Sequence, residues 1–141
     1  MSFASQTTVS VEKTRAEIDR LLGKHGAGHR GIMVDEGKNL AQIAFVIHSR
    51  RYRLDVPMPK NVGVQRQYDQ ACRTRWRTIL LTLKAKFELV DLGISSIEKE
   101  FLGDMILQNG QSLHLAVAEA IRTGLASGEA PVLALPQGEG R

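Results

Sequence analysis

The chain has 141 residues, 43% of them hydrophobic and only 5% aromatic, with 19 Lys/Arg against 15 Asp/Glu for a net charge of +4. That is enough for one core of ordinary size, and the low aromatic content predicts a mostly aliphatic one. A single cysteine, Cys72, rules out an internal disulfide, and no apolar run approaches the ~20 residues of a membrane-spanning helix.

Residues 1–9 are small and polar without a pattern and read as a mobile arm. Ser10 fits an N-cap for a helix to about Gly23, with Val11, Ile18, Leu21 and Leu22 on one face. A glycine-rich loop follows. It contains Gly26-Ala27-Gly28-His29-Arg30-Gly31, a literal G-x-G-x-x-G, but the run follows a helix and precedes a strand. Pyrophosphate binding needs the opposite order, with the motif opening a helix, so no nucleotide cofactor is expected. His25 and His29 stand four apart, yet the glycines between them argue against a helical metal pair.

Alternation of apolar and polar residues predicts three strands: Arg30 to Val34, Leu40 to His48 and Arg51 to Val56. The second puts Ile43, Phe45 and Ile47 on one face. The third puts Tyr52, Leu54 and Val56 inward and Arg51, Arg53 and Asp55 outward. Asp35 to Lys38 makes the first turn, and His48 to Arg51 makes the second, which places a basic cluster on a hairpin. Pro57 and Pro59 end the last strand.

Gln65 to Asp91 reads as one long helix. Cys72, Trp76, Ile79, Leu83, Phe87 and Val90 form its apolar seam, with Leu80 at the margin, and Arg66, Arg73, Arg77 and Lys84 form a basic stripe beside it. Cys72 in that seam reads as a buried thiol. Gly93 stops the pattern. Ser95-Ser96-Ile97-Glu98 reads as a capping box for a short helix to Leu102, with Ile94, Ile97, Phe101 and Leu102 extending the core. Ser112 caps a last helix to about Thr123, with Leu113, Val117, Ala120 and Ile121 as its apolar side and Gly124 as its stop. The tail from residue 127 is rich in glycine and proline and is expected to be mostly flexible. The fold class is therefore α+β: an N-terminal helix, a three-stranded antiparallel meander, a long central helix and two shorter C-terminal helices, forming one domain over residues 10–126.

Charge is segregated along the chain. Residues 48–86 hold ten Lys/Arg against Asp55 and Asp69, a local +8, whereas residues 87–141 carry a local −5. No nucleophile elbow, P-loop, H-E-x-x-H or metal-holding acidic pair is present, so no enzymatic activity is expected. Of Glu98, Glu100 and Asp104, which could be imagined as a carboxylate cluster, Glu98 and Glu100 are two apart and so do not share a helix face, and they read as solvent-facing residues near a helix start. Tyr52 and Trp76 lie on predicted core faces, which favours packing over stacking on bases. The expectation is a nucleic-acid-binding domain without sequence specificity, DNA ahead of RNA, with phosphates held by Arg50, Arg51 and Arg53 on the hairpin and by Arg66, Arg73, Arg77 and Lys84 on the helix. The alternative is a protein-interaction module. Homo-oligomerisation stays open. Residues 1–10 lack a signal-peptide apolar stretch, so a cytoplasmic location is expected.

The block from Val11 to Leu22, the run Arg73-Thr74-Arg75-Trp76-Arg77, the run Leu80 to Lys86, Gly93-Ile94 and Glu100-Phe101-Leu102 together resemble small uncharacterised proteins of bacteriophages and prophages. The resemblance implies a small α+β domain and a viral context, which makes the expected location the cytoplasm of a bacterial host and turns the alternative reading into a phage-encoded module that inhibits or redirects a host defence protein. It assigns no catalytic or binding residue.

Overall fold

The computed structural model describes residues 4–128. Its first helix, α1 (Val11–Lys24), starts where Ser10 Oγ accepts a hydrogen bond from the Lys13 amide at 3.1 Å. This satisfies one of the donors that every helix start leaves free. Ile18 and Leu22 are buried on its inner face together with Thr14. Ahead of it, the expected arm is held over its described part: Gln70 Nε2 donates to the carbonyls of Ser5 and Thr7 at 3.1 and 2.9 Å, and Ala4 is buried.

The three strands form an antiparallel meander, β1 (His29–Asp35), β2 (Leu40–Ile47) and β3 (Arg50–Pro57), in that spatial order. Ala41, Ile43, Phe45 and Ile47 of β2 are all buried, and the residues between them are only half-buried. The period of two thus sets an inner face against the helices and leaves an outer face open to solvent. In β3, Tyr52 points inward, while Arg51, Arg53 and Asp55 point outward, as the alternation predicts. The outer edge of β3 is closed late in the chain, where Tyr52 bridges Met105 and the Ile106 amide donates to the Arg51 carbonyl at 2.9 Å.

Ile47 pairs with Arg50, so the β2–β3 turn is only two residues, His48 and Ser49, both left-handed with φ of 53° and 65°. Two left-handed centres give the turn whose twist matches the flanking strands, and Asn-Gly suits it best. Replacing His48-Ser49 by Asn-Gly is expected to stabilise the fold by about 1 kcal/mol, read as a higher urea midpoint with an unchanged slope.

The long helix α2 (Gln65–Asp91) buries Trp76, Leu80, Leu83 and Phe87, with Ile79 and Val90 packed against them. Leu80, placed at the margin by periodicity, is fully buried and central. Cys72 is only half-buried. A short helix α3 (Ile97–Glu100) follows, capped by Ser96 Oγ, which accepts from the Lys99 amide at 3.1 Å. It ends in a 3₁₀ turn over Leu102–Asp104. Ile97 and Phe101 enter the core, but Ile94 and Leu102 are 66% and 50% exposed, so the capping box extends the core by two residues rather than four. The last helix, α4 (Leu113–Ser127), runs through Gly124 to a stop at Gly128, whose φ is +76°. Gly124 is buried within it, and Ile121 is 42% exposed. The tail beyond residue 128 lies outside the described residues.

The centre of the core is not aliphatic. Phe45, Tyr52, Phe87 and Phe101 form one chain of rings with centroids 5.3–6.1 Å apart, and His25 stacks on Phe87 at 4.2 Å. Few aromatics are present, but the fold concentrates them where β2, β3, α2 and the end of α3 meet. Aliphatic side chains fill the space around them. No helix among the described residues is long and apolar enough to cross a membrane.

Candidate functional site

The seven cations singled out by the sequence fall on three different surfaces. Arg51 and Arg53 project from the outer face of the sheet, beside Gly31, Ala44 and Val46, into a groove of about 320 Å³. Arg53 Nε lies 3.0 Å from Asp55 Oδ1, and Gln42 Nε2 donates to the same oxygen at 2.9 Å. Arg51 is exposed, and its side chain has no partner among the described residues. One wall of the groove is the turn that follows the 3₁₀ segment, through Ile106 and Gly110.

Arg50 shares the parity of Tyr52 and belongs to the opposite side. Its Nη1 lies 3.5 Å from Glu98 Oε1. The Tyr52 hydroxyl and Glu98 Oε2 are both buried there without a hydrogen-bond partner. Burial pushes the Tyr52 phenol up, and the Glu98 charge adds to the rise while Arg50 opposes it. The expected arginine hairpin is thus divided between two faces by strand alternation.

The helix stripe is divided again. Arg77 Nη1 lies 3.2 Å from Glu17 Oε1 of α1, and Lys84 Nζ lies 3.9 Å from the other oxygen of the same carboxylate. Arg73 donates twice to Gln70 Oε1, at 3.1 and 2.6 Å, and thereby orients the amide that clamps the N-terminal segment. These three cations tie α2 to the N-terminal part of the chain. Arg66, in the first turn of α2, is exposed and has no partner among the described residues. Helical spacing places the stripe correctly but cannot show that α1 lies alongside it carrying Glu17.

Sequence reasoning missed two ties. His25 Nδ1 donates to the Leu21 carbonyl at 2.9 Å, and its Nε2 lies 3.0 Å from Asp91 Oδ2, joining the ends of α1 and α2. Arg30, on β1, lies 2.7 Å from Asp19 Oδ1 and donates to the Ala27 carbonyl at 2.9 Å. The hydrogen bond from Arg30 holds the Asp19 carboxyl below its ordinary value. Neither pairing leaves a local pattern. No group of three His, Cys, Asp or Glu side chains suited to a metal occurs among the described residues.

Asp104 behaves in the opposite sense to Asp19. Burial pushes its carboxyl up, against the pull of Lys86 and His114 and with a small push from Asp55. A raised value in the folded state means that folding favours the protonated acid, so stability falls as pH rises through the carboxylate range. Asp104→Asn is expected to melt higher than the parent at pH 7, with the gap closing below the ordinary aspartate value of about 3.9. Thermal melts at the two ends of that range check it.

Comparison with family models, curated proteins and solved structures returns no match. The functional reading therefore rests on the geometry above.

Proposed function

We propose that the chain is a nucleic-acid-binding accessory protein that holds the phosphate backbone on the outer face of its sheet, without sequence specificity. The observation that carries this is Arg51, an exposed guanidinium without an internal partner, next to Arg53 on an open sheet face. A planar guanidinium meets phosphate oxygens with two donors, and a phosphate displaces Asp55 from Arg53 at little cost because that pair is partly solvated. Phe45 and Tyr52 beneath the groove are buried in the core, so His29 at its rim is, among the described residues there, the one aromatic side chain open to a base, and backbone contacts dominate. Arg66 supplies a further contact, while Arg73, Arg77 and Lys84 serve mainly to hold α2 in place. The viral origin included in this proposal rests on the resemblance of the α1 block and the Arg73–Lys86 run to bacteriophage proteins.

The test is fluorescence anisotropy with labelled single- and double-stranded oligonucleotides across a range of salt. The expected result is binding that weakens linearly in log–log form as salt rises. Absence of binding at low salt overturns the reading.

A second reading, a phage-encoded module that docks on a host protein, is favoured by exposed apolar side chains near the C-terminal end, Leu102, Leu115 and Ile121. On that reading a host protein co-purifies with the chain and stays bound after nuclease treatment. On the leading reading the captured material is lost with the nuclease.

A further inference from the structure

The two edges of the sheet differ. Beyond β3 the chain returns at Met105 and Ile106, but no strand lies beyond β1 among the described residues. The hydrogen-bond ladder shows which groups this leaves facing outward. Ile47 and Arg50 flank a two-residue turn and so form a hydrogen-bonded pair, and every second residue of β2 back to Ala41 bonds to β3 in the same way. Leu40, Gln42, Ala44 and Val46 therefore bond to β1, through Asp35, Met33, Gly31 and His29. Two bonds outside the ladder keep the same phase: the Met58 amide donates to the Asn39 carbonyl at 2.7 Å, and the Ile106 amide to the Arg51 carbonyl at 2.9 Å. Arg30, Ile32 and Val34 consequently turn their N–H and C=O groups to the free edge.

That edge lacks the usual guards against pairing. The strand is seven residues long, contains no proline and exposes Met33 and Val34. Its one Lys or Arg, Arg30, is drawn toward α1 by Asp19. The strand is also complementary to a second copy of itself. Laid antiparallel about a twofold axis at Ile32, Ile32 meets Ile32 and Arg30 meets Val34, so every outward backbone group finds a partner. Between these fall the closer pairs that share no backbone bond. There the exposed Met33 of one copy lies over Gly31 of the other, where a side chain would meet no atom within 4 Å. His29 lies opposite Asp35, so a ring N–H reaches a carboxylate whose Oδ1 accepts from the Lys38 amide at 3.2 Å and whose Oδ2 is left for it. A shift of register separates His29 from Asp35 and leaves an end of the strand unpaired.

We propose that β1 pairs with β1 of a second copy of this chain, antiparallel about Ile32, so that the two three-stranded sheets become one continuous sheet. A single strand pair buries less than the roughly 1,200 Å² of a standard interface, so the dimer is a reversible one that forms at micromolar concentrations. The pairing needs no nucleic acid. It also brings the two basic grooves onto one sheet face, since His29 and Gly31 of β1 border each groove. At ~4.8 Å per strand the Arg51 and Arg53 pairs of the two copies stand about 24 Å apart. That consequence rests on the function proposed above, whereas the pairing itself does not.

Sedimentation velocity of the full chain without nucleic acid, over about 1–300 μM, measures the association, and amide hydrogen exchange followed by NMR at both ends of that range locates it. The expected result is a monomer–dimer equilibrium in which the Arg30, Ile32 and Val34 amides exchange slowly at high concentration and fast at low. The Gly31 and Met33 amides, bonded to β2, are expected to be slow at both. Val34→Pro removes an N–H that bonds to nothing within its own copy, so it is expected to keep the fold and to weaken dimerisation about tenfold or more. His29→Asp sets two carboxylates opposite each other and is expected to weaken the dimer, and His29→Lys to strengthen it. His29 is exposed, so this pair of variants decides the matter should Val34→Pro disturb the strand. A monomer throughout the range overturns the proposal, as does a dimer indifferent to Val34→Pro and His29→Asp, which would use another surface. Protection of the three amides at every concentration also overturns it, because a segment of the same chain would then cover the edge. Oligonucleotide binding plays no part in the readout, so failure of the proposed function leaves this result standing.

Discussion

Phe101→Ala is expected to destabilise the fold by about 3–5 kcal/mol, the usual cost of deleting a buried ring together with the cavity it leaves. Phe101 is fully buried and meets Phe45, Tyr52 and Phe87 at centroid distances of 5.4, 6.1 and 5.3 Å. It therefore joins the sheet to α2 through a residue that belongs to neither. The Lys86 ammonium stands 5.1 Å above the same ring and donates to the Glu100 carbonyl at 2.6 Å, so the lost ring also removes a contact that orients Lys86. A domain of this size has a total stability of about 5–15 kcal/mol, so the variant is expected to be partly unfolded at physiological temperature. Urea denaturation followed by circular dichroism measures it, and a loss below about 1 kcal/mol would show that the neighbouring rings close over the gap. Leu102→Ala, next in sequence but half exposed, is the control and is expected to cost much less.

The second large effect concerns binding. Replacing Arg51 and Arg53 together by glutamine is expected to weaken nucleic-acid affinity and flatten its salt dependence by about 0.9 per lost contact on duplex, or about 0.7 on a single strand. Arg77→Gln with Lys84→Gln removes the same charge from the molecule but from cations already engaged by Glu17. Its expected consequence is a small loss of stability with the salt slope retained. The comparison separates local phosphate contact from the effect of net charge, because both variants have the same total. Equal slopes in the two variants would mean that charge alone attracts the nucleic acid, and would remove Arg51 and Arg53 from the site.

Local rules accounted for the elements well. Periodicity placed α2 at Gln65–Asp91, the hydroxyls of Ser10 and Ser96 capped the helices they precede, and alternation sorted β3 into an inward Tyr52 and outward Arg51 and Arg53. Each of these depends on residues a few positions apart. The failures involve partners far away in the chain. Glu17 claims Arg77 across 60 positions, Asp91 meets His25 across 66, and Gln70 holds the N-terminal segment across more than 60. A basic stripe looks the same in sequence whether a carboxylate lies beside it or solvent does.

The aromatic core also constrains the order in which the chain is completed during synthesis. Phe45, Tyr52 and Phe87 are made well before Phe101, and the segment that closes the edge of β3 comes later still, at Met105 and Ile106. A nascent chain stopped before residue 101 has three large rings and an open strand edge with nothing to cover them, a state prone to association with other chains. Translation of the last third therefore acts as the closing step of folding, and truncations ahead of Phe101 should be recovered from cells as aggregates rather than as smaller domains.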